Sequence, residues 1–301
     1  CVTVGGYGRS RTSIPCPACA SCKIGSTAGL PTTDTACPAA PRNVLYQTKM
    51  TKRLSQIDCL HLANLLPDNP QTVISRAHLL WGTARAYAVG LTDTGFETAV
   101  IEDPGCPGEP MIFGHNARQI TDLLPHIPDW FCVNVATDLA DELEPRLAAQ
   151  MGRALRRQGD VYHTLTQAPP AALLTHPAVR LLTPDDLPLL QAAPPELRGH
   201  DPAQLLQKTA AAGAIIQGQL VAIAQNYALS EGFGDIGVFT RPEWRGRGLA
   251  AAAAALVAEW LWRNGRIPVW SCGENNQPSL RVAKKVGFVA NGRRVYLILD
   301  E

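Results

Sequence analysis

Long apolar runs are missing from this 301-residue chain. No stretch approaches the roughly 18 uninterrupted apolar residues of a membrane span, and the longest candidate, 249–261, is alanine-rich and reads as a helix in a soluble setting. A surplus of either charge is missing too. With a formal net charge of +1, neither a nucleic-acid partner nor a membrane surface is expected. Two phosphate-binding signatures, G-x-G-x-x-G after a first strand and the P-loop G-K-[ST], are absent. The N-terminal stretch has no basic segment followed by an apolar one, so no secretory signal is expected. Cysteine is scarce where a core would lie. Cys1, Cys16, Cys19, Cys22 and Cys37 crowd into the first fifty positions, and only Cys59, Cys106, Cys132 and Cys272 follow. The later part therefore does not resemble a disulfide-stapled secreted domain, and a reducing, cytoplasmic compartment is expected.

What is present is apolar residue in quantity, 46% against 18% charged, in a chain long enough for two modest domains. Residues 1–49 are rich in Gly, Pro, Ser, Thr and Cys and carry no helical or strand period. They read as a disordered extension, or as sequence upstream of a start at Met50. Cys16-x-x-Cys19-x-x-Cys22 has ligand-like spacing, with Cys37 or Cys1 available as a fourth ligand. No second paired motif follows, so no metal is expected.

Residues 50–175 read as a first α/β domain. The pattern predicts a helix over 54–66, strands near 84–89, 97–102 and 111–113, a helix over 117–124, a strand over 130–135 and a helix over 138–151. Leu139, Leu143, Leu147 and Met151 share one face of the last helix. Residues 176–301 read as a second domain. A strand at 179–182 leads to Thr183-Pro184, a helix start with proline at the first helical position. A hairpin over 213–224, a strand over 235–240, a helix over 249–263, a strand over 267–271, a helix over 278–286 and terminal strands at 288–289 and 295–299 complete it.

The informative segment is Ile236-Gly237-Val238-Phe239-Thr240-Arg241-Pro242-Glu243-Trp244-Arg245-Gly246-Arg247-Gly248-Leu249-Ala250. It reads as a strand, a glycine turn and a helix start. Glycines let backbone approach a ligand closely, the first helical amides have no internal partner, and with the helix dipole they form an anion site suited to a pyrophosphate. Arg245 and Arg247 add positive charge. Taken alone, Gly-x-Gly reads first as an ordinary strand-to-helix connection with solvated arginines.

Over 179–301 these residues resemble the GNAT superfamily of N-acetyltransferases. Arg245-Gly246-Arg247-Gly248-Leu249-Ala250 follows that family's acyl-CoA motif, and Val238-Phe239-Thr240-Arg241-Pro242-Glu243-Trp244-Arg245 follows the pattern before it. Asn276-Gln277-Pro278-Ser279-Leu280-Arg281-Val282-Ala283-Lys284-Lys285-Val286-Gly287-Phe288 resembles its second element. The resemblance implies an α/β (α+β) fold: a GNAT-like mixed sheet flanked by helices at the C-terminus, preceded by a smaller, degenerate GNAT-like domain. The two-domain layout resembles the glycine N-acyltransferase-like group. Acetyl-CoA is the implied co-substrate. Val238, Phe239 and Thr240 would meet the pantetheine arm, Arg245, Gly246, Arg247, Gly248, Leu249 and Ala250 the pyrophosphate, and Asn276 and Ser279 the thioester end. Helix capping by Asn276 and Ser279 is an alternative that can coexist with cofactor contact.

At one position the sequence departs from the family. The tyrosine that commonly protonates the leaving thiolate is Ala283, which leaves Ser279, Cys272, Tyr296 or water for that role, and Ala283→Tyr is expected to keep or raise activity. A carboxylate near 235–240 is expected to deprotonate the acceptor ammonium, Asp235 before Glu231, each being equally readable as a solvated strand-end acid. The expected acceptor is a primary amine on a small molecule or peptide, attacking directly in a ternary complex, and a homodimer is compatible with this. The alternative is a catalytically silent acyl-CoA sensor. Because the cofactor motifs lie after Val179, an isolated 179–301 fragment, if soluble, is expected to keep CoA binding and to lose acceptor selectivity.

Overall fold

The computed structural model describes residues 52–199 and 201–300. The cysteine-rich leader, with the ligand-like spacing at Cys16, Cys19 and Cys22, lies outside the described residues.

Elements alternate along the chain. Helices α1 (Gln56–Leu65) and α2 (Val73–Leu80) precede strands β1 (Arg85–Val89), β2 (Thr98–Glu102) and β3 (Met111–Gly114). Then come α3 (Ala117–Leu123), β4 (Cys132–Val135), α4 (Ala140–Met151) and β5 (Leu155–Thr164). After a short coil follow β6 (Val179–Leu181), the short helices α5 (Leu187–Gln191), α6 (Pro195–Arg198) and α7 (Pro202–Lys208), and strands β7 (Ala211–Ile216), β8 (Gln219–Leu229) and β9 (Phe233–Thr240). The chain ends with α8 (Leu249–Arg263), β10 (Ile267–Gly273), α9 (Gln277–Val286) and β11 (Val289–Leu299). The start of α1 shows why these residues form helices: Ser55 and Asp58 make a reciprocal capping box that satisfies amides no helical carbonyl can reach.

Among the described residues, strands β1 to β11 form one mixed sheet in the order β1-β2-β3-β4-β11-β5-β10-β9-β8-β7-β6. The two halves repeat a pattern. In each, three antiparallel strands (β1-β2-β3 and β7-β8-β9) are followed by a helix, α3 or α8, that returns the chain to a parallel neighbour, β4 or β10. The last strand of each half then sits in the other half's territory. β5 pairs with β10, and β11 lies between β4 and β5. An isolated 179–301 fragment would therefore expose the β10 edge and leave β11 with neither neighbour. The solubility on which its CoA binding depends is therefore not expected.

Helices α1 and α2 pack on one face with Tyr162, Ala228 and Val269, bridging the halves. On the other face, α3 and α4 cover the first half and α8 and α9 the second. Among the described residues no helix is long and apolar enough to cross a membrane.

Most elements fall where the apolar period places them. Leu139, Leu143 and Leu147 are buried as expected, whereas Met151 is exposed. β5 is the main element the pattern does not reveal. Its Gln158, Asp160, His163 and Thr164 are buried polar residues, so a central strand lacks the apolar alternation that marks one. α2 is missed for a related reason: Arg76 and His78 are buried among its apolar residues, so no polar face is visible. The two terminal strands read from the sequence are one strand, β11, with a register shift between Ala290 and Gly292. A bulge there interrupts the pattern without ending the strand.

Candidate functional site

β9 and β10 pair in parallel over only three positions, Phe233, Gly234 and Asp235 of β9 opposite Ile267, Pro268 and Val269. Past Asp235 they part. β9 continues along β8 to Thr240, and β10 continues along β5 to Gly273. The edge of β9 from Ile236 to Thr240 thus faces a cleft with no strand partner, and its backbone donors and acceptors are available to a ligand lying alongside. Val238, Phe239 and Thr240 stand on this open edge. Thr240 Oγ1 is buried without a hydrogen-bond partner among the described residues, a cost that a ligand atom would remove.

The mouth of the cleft is the turn into α8. Gly246 and Gly248 have φ of 78° and 79°, left-handed backbone that side chains other than glycine's resist. Gly248 is the helix N-cap and supplies no side-chain cap. The first amide with an intrahelical partner is that of Ala252, bonded to Gly248 O at 3.1 Å. The amides of Leu249, Ala250 and Ala251 precede it and have no helical carbonyl to reach. The equivalent helix of the first half differs: Asn116 caps α3 by accepting from the Gln119 amide, so its own side chain occupies the end that α8 leaves open.

Cations surround the α8 turn. Arg245 Nε donates to Thr240 O at 3.2 Å, which ties the turn to the end of β9. The Arg247 guanidinium stacks over the Trp244 ring at 4.5 Å. Lys285 is a member the sequence reading missed. A Cβ placed on Gly248 would stand 3.6 Å from Lys285 Nζ, so α9 adds an ammonium to the same turn. The signal was present in the second motif but only folding brings it within reach of the first.

On α9, Asn276 is the N-cap and its Oδ1 accepts from the Ser279 amide at 3.2 Å. Trp270 Nε1 donates to Ser279 Oγ at 3.0 Å, and the Ser279 hydroxyl also bonds the Cys272 sulfur. Ala283 is 1% exposed, packed in the core shared by α8 and α9. A tyrosine there would have to displace core side chains, so the expectation that Ala283→Tyr preserves or raises activity does not survive the packing. Cys272 is buried, and burial pushes its thiol above the ordinary value. A thiol held neutral can donate a proton but is no nucleophile.

Asp235 sits at the vertex where the strands part, 2% exposed. It is not a solvated strand-end acid. Burial raises its pKa from 3.8 to about 6, and the buried Asp160 carboxylate adds to the rise. Ser271 Oγ donates to Asp235 Oδ1 at 3.5 Å. Ser271 in turn lines a narrow cavity of about 20 Å³ on the α1–α2 face of the sheet, shared with Asp160 and Tyr296. Glu231, the second carboxylate named above, is engaged elsewhere: Arg76 holds it at 2.7 Å and keeps its carboxyl below the usual range. Register puts Asp235 and Ser271 on the face of Tyr162 and Val269, while Trp270, Cys272 and Ser279 belong to the α8–α9 side. Asp235 and Ser279 therefore flank the parted strands from opposite faces, and Tyr296 stands with Asp235 and away from Ser279.

Residues 201–295 match the family model described as GNAT acetyltransferase. A comparison with curated protein sequences gave no match. Among solved structures, a GCN5-related N-acetyltransferase-like protein from Streptococcus suis superposes with a TM-score of 0.60 at 18% identity, covering 81% of this chain and 99% of its own. A Drosophila protein gives a TM-score of 0.56 at 14% identity, covering 83% of this chain and 98% of its own. A GNAT-family acetyltransferase from Colwellia psychrerythraea gives 0.52 at 14% identity, covering 83% and 99%. These likenesses extend over both halves, so the fold as a whole is shared. Within the C-terminal half, residues 201–295 are thus similar to the GNAT acetyltransferases.

Proposed function

We propose that the chain is an acetyl-CoA-dependent N-acetyltransferase acting on a primary amine, with the cofactor held by residues 238–250 and 276–279 and the first half, 50–175, forming part of the acceptor side. One observation carries this reading. The open edge of β9, the uncapped start of α8 and the cations Arg245, Arg247 and Lys285 lie at the mouth of one cleft, and a carboxyl with a pKa near 6 lies at its vertex.

The residues suit the cofactor. The amides of Leu249, Ala250 and Ala251 and the neighbouring cations match a pyrophosphate, and the unpaired edge at Val238, Phe239 and Thr240 matches the amide groups of a pantetheine arm. Acetyl-CoA supplies the acyl group as a thioester. The protein's part is to hold it, polarise its carbonyl and manage two protons. A backbone N–H of the open edge polarises the carbonyl without any special side chain. Asp235 takes the proton of the acceptor ammonium through Ser271 or a water. Its pKa of about 6 leaves it ionised at neutral pH while still basic enough to accept. The Ser279 hydroxyl hydrogen-bonds the departing sulfur, which leaves as a thiolate and takes its proton from solvent. Thiols ionise near 8.5, so the thiolate is a fair leaving group, this assistance is modest and the missing tyrosine is tolerable.

The experiment is CoA release by the purified protein from acetyl-CoA against a panel of primary amines, with product identified by mass. Amine-dependent release with an N-acetylated product is expected. Tight acetyl-CoA binding with no amine-dependent release overturns the enzyme reading.

A further inference from the structure

The cavity behind Ser271 holds more carboxyl groups than one general base requires. Asp103, Glu109 and Asp160 line it together with Tyr227, Ser271 and Tyr296, and Asp235 lies just behind Ser271. The carboxylates come from three places: the loop between β2 and β3, β5, and β9. Only the fold assembles them. Three are fixed by neighbouring side chains. Tyr227 Oη donates to Asp103 Oδ1, which also accepts from the Gly105 amide at 2.9 Å. Asn134 Nδ2 donates to Asp160 Oδ2 at 2.9 Å. Ser271 holds Asp235.

The other oxygen of Asp160 is the telling atom. Asp160 is 1% exposed, and its Oδ1 is buried with no hydrogen-bond partner among the described residues. The nearby cation attracts it but makes no hydrogen bond to it. Arg294 spends its guanidinium on Asn134 Oδ1, on Asn134 O at 3.0 Å and on Ile112 O at 2.7 Å. A buried carboxylate oxygen left unpaired is costly unless a ligand fills the place. The carboxylates are also spaced so that no three of the described acidic, cysteine or histidine side chains converge as metal ligands. An ammonium group suits such a spacing, because its three N–H donors can reach separate acceptors. A space of about 20 Å³ takes one head group of that size.

We infer that this cavity is the acceptor's amine pocket, that Asp160, Glu109 and Asp103 of the first half recognise the acceptor as a cation, and that the acceptor class is unbranched aliphatic amines and diamines rather than α-amino acids. This rests on the acetyltransferase reading and narrows it. An α-amino acid brings a carboxylate two bonds from its nitrogen, into a pocket where burial and the neighbouring acids already push Glu109 up to about 7 and raise Asp160, so a further anion meets the same desolvation and repulsion of negative charge. A second ammonium on a diamine is attracted by the same charge. Asp160 is a binding residue here, distinct from the proton-accepting role of Asp235.

The test uses the full chain with n-butylamine, 1,4-diaminobutane and glycine as probes. Turnover is expected with both amines, with kcat/KM for the diamine at least equal to that for butylamine and glycine at least a hundredfold poorer. Asp160→Asn is expected to raise the amine KM at least tenfold and leave the acetyl-CoA KM unchanged. Glu109→Gln, at a half-buried position that tolerates the change, repeats the measurement should Asp160→Asn fail to fold. A binding readout separates this inference from the enzyme reading. Butylamine should raise the melting temperature of the wild type, and this shift should vanish in the Asp160 or Glu109 variant even if no acetyl group is transferred. Glycine turned over as well as butylamine, or an amine KM and thermal shift unchanged in both variants, overturns the inference.

Discussion

Replacing Asp235 with asparagine keeps the shape of the side chain and removes the charge, so it separates what the carboxylate costs the fold from what it does for the reaction. Burial lifts its pKa from 3.8 to about 6, roughly two units, which at 1.36 kcal/mol per unit is about 3 kcal/mol. The sign follows from linkage. The folded state favours the protonated form, so below about pH 4 the group is neutral in both states and costs nothing. Stability then falls as pH rises from about 4 to 6, and above 6 the cost is fully present. The Asp235→Asn variant has no such cost. In urea unfolding across a pH series, the variant should match the wild type at pH 4 and exceed it by about 3 kcal/mol at pH 7 and above. Activity should move the opposite way, lower by about 10²- to 10⁴-fold at pH 7. The loss should shrink toward pH 10, where an aliphatic ammonium with a pKa near 10.4 begins to deprotonate unaided. Acetyl-CoA affinity should be unchanged. A stability difference that is flat with pH, or a variant as active as the wild type at pH 7, refutes the placing of a buried, ionisable base at this vertex.

Three further outcomes follow from the same geometry. Gly248→Val forces a β-branched residue into left-handed backbone at the open end of α8; with only the flexible Lys285 ammonium near the new Cβ, the protein should fold, while calorimetry should show acetyl-CoA binding weakened at least tenfold. Ala283→Tyr overfills the α8–α9 core and should lower stability by about 1–3 kcal/mol in chemical denaturation, with no gain in kcat. A chain beginning at residue 176 loses β4 and β5, both neighbours of β11 and one neighbour of β10; circular dichroism and gel filtration should show it unfolded or aggregated, and recovery of acetyl-CoA binding by that fragment would contradict the exchange of strands.

The sequence by itself determined the local chemistry of this protein. The strand, turn and helix of 233–263 are written in consecutive residues: a strand up to Thr240, glycines at 246 and 248 where φ is positive, and an alanine-rich helix with no polar cap. The Asn276 cap and the helix after it are equally local. Such features depend on backbone conformation and near neighbours, so they are legible without knowing what packs where. Tertiary structure alone decided the rest. That β9 and β10 part after Asp235 depends on β8 and β5 holding them from opposite sides, and strand partners far apart in sequence leave no local signature. That Asp235 is buried and weakly acidic depends on α1, α2 and Asp160, since a carboxyl's pKa follows its surroundings. That Asp103, Glu109 and Asp160 meet Ser271 depends on the exchange of β5 and β11 between the halves. β5 was unreadable for the reason it matters: its inward side chains face a polar cavity, and a strand that turns polar groups inward breaks the apolar alternation by which strands are recognised.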